Sequence, residues 1–147
     1  MTDTTNLRLR ELLASTADEL VAALQADACT LSRAIGDVLI LVTERAPDGT
    51  TLQMGQGYPV PDYPLTQEVL SSGRPRALTL ADDDVDPAEA SVLHELGFSS
   101  LLMLPLQIGG TTWGLVEVYR LQPLPFSESD IRRAGEILAR TTVRADG

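Results

Sequence analysis

Two strand-length runs, Leu101 to Ile108 and Thr112 to Tyr119, flank a Gly109-Gly110 pair, and no other stretch narrows the fold as far. Paired glycines suit the two-residue turn of an antiparallel hairpin. A second hairpin precedes it, where Ala28 to Ile35 and Val38 to Val42 meet at Gly36-Asp37. Cys29, Leu31 and Ile35 share one face of the first of these strands. The run Val38-Leu39-Ile40-Leu41-Val42 is apolar at every position, so both of its faces are expected to be covered. Pro47-Asp48-Gly49 predicts another hairpin turn, leading to a strand over Thr51 to Met54, and Arg76 to Leu80 reads as a shorter strand.

Helices bracket this material. Residues 6–25 repeat Leu9, Leu13, Ala17, Leu20 and Leu24 at helical spacing, with Leu12 and Val21 widening the apolar stripe. Thr66 predicts the cap of a short helix that ends at Gly73. Asp86-Pro87-Ala88-Glu89 sets a cap, a first-turn proline and a third-position glutamate in order, for a helix running to Leu96 and stopping at Gly97. Ser127 and Asp130 form a capping-box pattern for a last helix over about residues 128–143, with Phe126 and Ile131 placed as a staple. Ile131, Ala134, Leu138 and Thr141 mark one of its faces.

The resulting order, α β β β α β α β β α, predicts one α+β domain over residues 1–147, with a core over about 27–125. It contains an antiparallel sheet of five to six strands covered by helices on both faces. The terminal helices are expected over one face. The short inner helices and the Tyr58 to Pro64 loop cover the other incompletely, which leaves room for a small molecule.

Charge and cysteine content exclude several roles. Eleven Lys and Arg against 21 Asp and Glu give a net charge of −10, which repels phosphate backbones and anionic lipid surfaces. Neither nucleic acid nor membrane is expected as a partner. Cys29 is the only cysteine, so no internal disulfide forms, and a cysteine-based zinc site is not expected. The start, Met1-Thr2-Asp3-Thr4-Thr5-Asn6, lacks the basic and apolar character of a secretory signal, and a cytoplasmic location is expected.

Five segments, taken in order, resemble the GAF domain family across roughly residues 12–142. They are Asp27-Ala28-Cys29-Thr30-Leu31-Ser32-Arg33, Leu70-Ser71-Ser72-Gly73-Arg74-Pro75, Leu96-Gly97-Phe98-Ser99-Ser100-Leu101-Leu102-Met103-Leu104-Pro105-Leu106, Gly109-Gly110-Thr111-Thr112-Trp113-Gly114-Leu115-Val116 and Phe126-Ser127-Glu128-Ser129-Asp130. The resemblance implies a PAS-like, profilin-like sheet and a sensory, non-catalytic role. It implies a bound small molecule, a homodimer built on the terminal helices, and a signalling partner in cis or in trans. Departures from the family's subtypes shape the ligand expectation. Tyr119-Arg120 and Ile131 stand where cyclic-nucleotide members carry Asn-Lys and Glu. Cys29 precedes Thr30 in the first strand, away from where bilin-binding members attach the chromophore. Cyclic nucleotide, haem and covalent bilin are therefore not expected, and the ligand stays unidentified.

The candidate ligand residues are Tyr58, Tyr63, His94, Met103 and Trp113. Tyr58 and Tyr63 flank the loop over the sheet and either stack on a ligand or plug the sheet face. His94, the only histidine, lies mid-helix. The candidate dimer interface is Leu9, Leu13, Leu20, Ile131 and Leu138. Asp82-Asp83-Asp84, Asp86 and Glu89 read as a solvated loop and cap, because they lack the glycine and spacing of a calcium loop. Gly55-Gln56-Gly57 is followed by prolines instead of a helix and offers no phosphate cradle. Two alternatives stay open: a ligand-free interaction module, and a redox function of Cys29. The expected reading of Cys29 is a small buried hydrophobe.

Overall fold

The structure, a computed structural model, describes residues 2–46 and 58–146, with side chains from residue 7 onward and only the backbone at Tyr58. Helix α1 (Thr2–Ala23) leads into β1 (Ala28–Ile35) and β2 (Val38–Arg45). The two-residue β3 (Tyr58–Pro59) and a 3-10 turn (Val60–Asp62) follow, then α2 (Pro64–Ser72), β4 (Arg76–Thr79), α3 (Pro87–Leu96), β5 (Ser100–Ile108), β6 (Thr111–Arg120) and α4 (Glu128–Asp146). The six strands form one sheet in the order β3-β2-β1-β6-β5-β4, with every neighbouring pair antiparallel. This is the expected α+β architecture. The expected Pro47-Asp48-Gly49 turn, the strand over Thr51 to Met54, and Gly55-Gln56-Gly57 lie outside the described residues.

Local signals explain most element ends. Gly109 and Gly110 take φ of 65° and 80°, and Ile108 pairs with Thr111 across them. Positive φ at both central positions is the type I′ geometry, one of the two-residue turns whose twist matches a tight antiparallel hairpin. Asp86 Oδ2 accepts the Glu89 backbone N–H, and Pro87 opens α3. At α4 the capping box is complete: Ser127 Oγ accepts the Asp130 N–H at 3.1 Å, and Asp130 Oδ2 accepts the Ser127 N–H at 2.8 Å. Helix α2 departs from expectation. It starts at Pro64, whose fixed φ suits a first helical turn, with Tyr63 at the cap position. Thr66 therefore sits inside the helix and caps nothing.

Alternation along the strands divides the core into two layers. On the outer face, Leu13 and Leu20 of α1, Leu24 just after it, and Ala134, Ile137 and Leu138 of α4 close over Cys29, Leu31, Leu102, Val116 and Val118. Thr16 and Thr141 join their hydroxyls between the helices at 2.8 Å. On the inner face, Val69 of α2, Leu93 of α3, Val60 and Phe98 close over Leu101, Met103, Leu115 and Tyr119.

One expectation needs correction. The β2 run is not covered on both faces: Val38 and Ile40 are 40% and 42% exposed, and Ile35 is 49% exposed. Register pairs Ile35 with Val38 and Arg33 with Ile40, so the three apolar side chains share the outer face near the β1–β2 turn. That end is only partly covered. A run of apolar letters reports the character of a strand but not the reach of the helices above it.

Candidate functional site

The inner face carries polar groups at its centre. Register sets Arg76 beside Met103, Met103 beside Glu117, Glu117 beside Thr30, and Thr30 beside Glu44. Met103, Glu117 and Thr30 are all buried. Arg76, at the end of this row, pairs with Glu68 of α2. The Thr30 hydroxyl oxygen is fully buried and has no hydrogen-bond partner among the described residues. Such an atom is uncommon in a folded protein, because burying a hydroxyl without a partner costs about 1–3 kcal/mol.

A second polar pair lies in the helices over this face. Thr66 Oγ1 donates to Glu89 Oε1 at 2.6 Å, and both residues are buried. Burial pushes the Glu89 carboxyl above its ordinary range; the Thr66 bond opposes that rise and nearby Asp86 adds to it. Glu89 is thus no part of a solvated acidic loop. It stands one turn before Leu93 on the same side of α3, and that side faces the sheet. Asp82 and Asp86 do act locally, accepting the Thr79 and Glu89 backbone N–H groups. The Tyr63 hydroxyl is likewise raised, first by burial and then by Glu89, Asp62, Glu95 and Glu117, which sets Glu89 and Glu117 in one electrostatic neighbourhood. Beside this group Tyr119 stacks on Phe98, with ring centroids 5.0 Å apart.

The expected ligand residues do not converge. Met103 and Tyr63 lie toward the inner side. Tyr58 pairs its backbone with Leu39 at the sheet edge. His94 is exposed and lines an open groove of about 730 Å³ outside α3, with Leu80, Val85 and Pro87. Trp113 packs against the terminal-helix layer, with the Arg33 guanidinium 5.8 Å from its ring centroid. Strict alternation back from Tyr119 would put Trp113 on the inner face. The register slips between Leu106 and Gln107, leaving Trp113 as the extra residue of a bulge, and the bulge turns it over.

Of the expected interface residues, Leu13, Leu20 and Leu138 are buried in the outer layer of the same chain, and Leu9 and Ile131 are half-buried against it. Ile131 and Leu138 also line a cleft of about 270 Å³ between α4 and β5. The exposed large apolar side chains lie elsewhere, at Leu7, Val143, Ile35, Val38 and Ile40 among others.

Thr30 and Glu117 were not singled out by the sequence reading, and Thr66 and Glu89 were read there only as parts of helix caps and a solvated loop. One signal was available: Glu117 interrupts Leu115-Val116-Glu117-Val118-Tyr119, a strand otherwise apolar on both faces. A carboxylate there is either exposed or paired inside the fold, and a paired one is a candidate site residue. Chemically the group offers hydrogen-bond acceptors in an apolar setting. Cys29 lies on the opposite face, fully buried, and burial with the charges of Glu117 and Asp18 drives its thiol far above the ordinary range. Among the described residues, no group of three His, Cys, Asp or Glu side chains is placed to hold a metal ion.

Arg120 ties the sheet to both terminal helices. Its guanidinium donates to the carbonyls of Leu24 (2.6 Å), Pro125 (2.9 Å) and Leu124 (3.1 Å), and stands 4.0 Å over the Phe126 ring. Asp130 pairs with it at 3.4 Å. The Tyr119-Arg120 pair is therefore structural, with the ring on the inner face and the guanidinium holding the helix ends.

A family model described as GAF domain matches residues 8–145. Among solved structures, the blue-light absorbing form of the Thermosynechococcus elongatus PixJ GAF domain is similar, with a TM-score of 0.81, 18% identity, and coverage of 97% of this chain and 88% of that one. A phycocyanobilin-bound GAF domain from a cyanobacterial phytochrome aligns with a TM-score of 0.80 at 16% identity over 99% and 94% of the two chains. A phycoerythrobilin-bound GAF domain from a cyanobacterial phytochrome does so with a TM-score of 0.81 at 19% identity over 96% and 87%. No curated protein matches by sequence. These structures correct the expectation that set a bilin aside. That expectation rested on the position of Cys29, whereas the backbone arrangement found here is one that holds bilins in other proteins.

Proposed function

The chain belongs to the GAF domain family, and from that premise we propose that it is a sensory module holding a small molecule against the inner face of its sheet. A bilin-type tetrapyrrole is the first candidate, since the similar GAF domains include phycocyanobilin-bound and phycoerythrobilin-bound forms. The observation that carries the reading is the buried Thr30 hydroxyl with no partner among the described residues, set beside Glu117 and near the Tyr119–Phe98 stack. An apolar, aromatic surface with a few convergent polar atoms is the usual make-up of a small-molecule site. Cys29 faces the other layer, so a tetrapyrrole on the inner face is held without a bond to it.

A route from site to output exists in β6. Glu117 and Tyr119 face the ligand side, and Arg120, the next residue, grips the ends of α1 and the segment before α4. A ligand that moves β6 shifts the anchor of both terminal helices. Binding and mechanical output are the roles this arrangement supports.

The test is direct. Purified protein is mixed with biliverdin or phycocyanobilin and followed by absorbance and thermal unfolding. A saturable, protein-dependent change in the visible band and a raised melting temperature support the reading. Unchanged spectra and melting with both pigments overturn the bilin assignment.

A second reading, an interaction module working as a homodimer, draws on the uncovered Ile35, Val38 and Ile40. Light scattering distinguishes it: a dimer converted to monomer by Ile40→Glu supports a contact through that face, and a strict monomer removes it.

A further inference from the structure

The outer flank of α3 is shaped and charged for a partner. Pro87, Ala90, Ser91 and His94 follow one another three or four residues apart, or side by side, along one side of the helix. With Leu80 and Val85 they line the open groove of about 730 Å³. From Pro87 to His94 the helix rises about 10 Å, two turns, so the groove is long enough to take two turns of a second helix.

Acidic side chains border it. Asp82, Asp83 and Asp84 are exposed in the loop that supplies Val85, Asp86 caps the start of α3, and Glu95 is exposed at the other end. No Lys or Arg occurs between Arg76 and Arg120. Both of those are engaged elsewhere, Arg76 by Glu68, and Arg120 by Asp130 and the carbonyls of Leu24, Leu124 and Pro125. Among the described residues lining the groove, His94 alone is a base. The carboxylates are not gathered around a metal ion either, since no group of three among the described residues is placed to hold one.

An open groove does not enclose a small molecule, whose sites bury most of the ligand's surface. It does match an amphipathic helix, which lays a row of apolar side chains along a groove and leaves its flanks at the rim. A rim of one charge sign selects flanks of the other.

We propose that the outer flank of α3 docks a basic amphipathic segment of a partner protein. Its apolar side chains lie against Leu80, Val85 and Ala90, and its Arg or Lys side chains lie beside Asp82 to Asp84 and Glu95. This surface is separate from the inner-face site and stands whether or not that face holds a ligand. A partner seated there grips the helix that lays Glu89 and Leu93 over the sheet.

Synthetic helical peptides of one length test the proposal by fluorescence anisotropy against the full chain. The first has Leu on one face and Arg on the other. The second has the same composition, scrambled so that the leucines share no face. The third has Glu in place of Arg. At about 0.15 M salt the first should bind saturably with a Kd below about 100 μM, the scrambled one roughly tenfold more weakly or worse, and the Glu peptide not at all. Ser91→Arg, at an exposed position on the groove wall, should weaken the first peptide roughly tenfold or more. Ser15→Arg, exposed on α1 across the sheet, adds the same charge and should change binding less than twofold. A second variant, Asp83→Asn with Asp84→Asn in the exposed loop, should weaken the first peptide several-fold at about 0.15 M salt and little at about 1 M. Equal losses in Ser91→Arg and Ser15→Arg, equal binding of the scrambled peptide, or no saturable binding of the first at about 1 mM overturns the proposal. So does self-association of the chain that Ser91→Arg abolishes, because the occupant is then a second copy.

Discussion

Replacing Thr66 with valine is expected to destabilise the protein by about 2–3 kcal/mol at neutral pH. The two side chains have nearly the same shape, so no cavity opens. What disappears is the donor to Glu89, a carboxylate only 2% exposed, across a bond of 2.6 Å. A hydrogen bond to a charged group contributes about 1.5–3 kcal/mol, and a buried acceptor left without its donor lies at the upper end. That corresponds to a fall of roughly 6–10 °C in melting temperature for a domain of this size. The penalty depends on pH in a defined direction. Burial holds the folded-state Glu89 pKa above its ordinary 4.5, with Thr66 opposing and Asp86 adding. Between 4.5 and the raised value the folded protein binds more protons than the unfolded chain, so the Glu89 contribution to stability falls as pH rises through that window. Without Thr66 the carboxyl is raised further, and the fall extends to higher pH. The valine penalty should therefore be largest near pH 7.5 and shrink toward pH 4.5. In a Glu89→Gln background the same substitution should cost only about 1 kcal/mol, as for a neutral acceptor. Urea unfolding followed by far-UV circular dichroism at both pH values gives all these numbers. A penalty under about 0.5 kcal/mol, or one equal at both pH values and undiminished beside Glu89→Gln, refutes the assigned role of the pair.

Other substitutions test the frame around the site. A Cβ on Gly114 would lie 2.0 Å from the Ser32 carbonyl oxygen across the β1–β6 ladder, so Gly114→Ala should cost about 3 kcal/mol or more, read by urea unfolding. Cys29 should resist a thiol reagent such as DTNB in the native protein and react promptly in denaturant, because a buried, strongly raised thiol supplies almost no thiolate; native labelling at the unfolded rate would contradict the assigned burial. For Asp130, burial raises the carboxyl, but the Ser127 backbone and hydroxyl bonds and Arg120 together outweigh it and hold the pKa low. The stability this contributes is present above the ordinary 3.8 and is lost as pH falls through the folded-state value. Asp130→Asn should accordingly cost about 1 kcal/mol at pH 6, and the cost should shrink as pH falls below 3.8, measured by thermal unfolding.

The sequence alone determined whatever depends on neighbours along the chain. The Gly109-Gly110 hairpin, the Asp86 and Ser127 caps, the stops at Gly73 and Gly97 and the order of the elements other than β3 are local matters of φ, of orphan N–H groups and of periodicity, and all are present in the structure; β3 forms at Tyr58–Pro59, in a segment expected to be a loop. Tertiary packing decided the rest. Which apolar stripe meets the sheet and which meets water depends on how far α1 and α4 reach, so Leu13 and Leu20 are interior while Val38 and Ile40 are not. One extra residue in a β6 bulge carried Trp113 to the opposite layer from Tyr119. Thr66 and Glu89, 23 positions apart, became partners only when α2 and α3 were laid over one sheet face. Thr30 and Glu117 likewise meet only through the pairing of β1 with β6. A polar side chain in isolation carries no mark of the partner that folding will bring to it or withhold from it, and the candidate site consists of such residues.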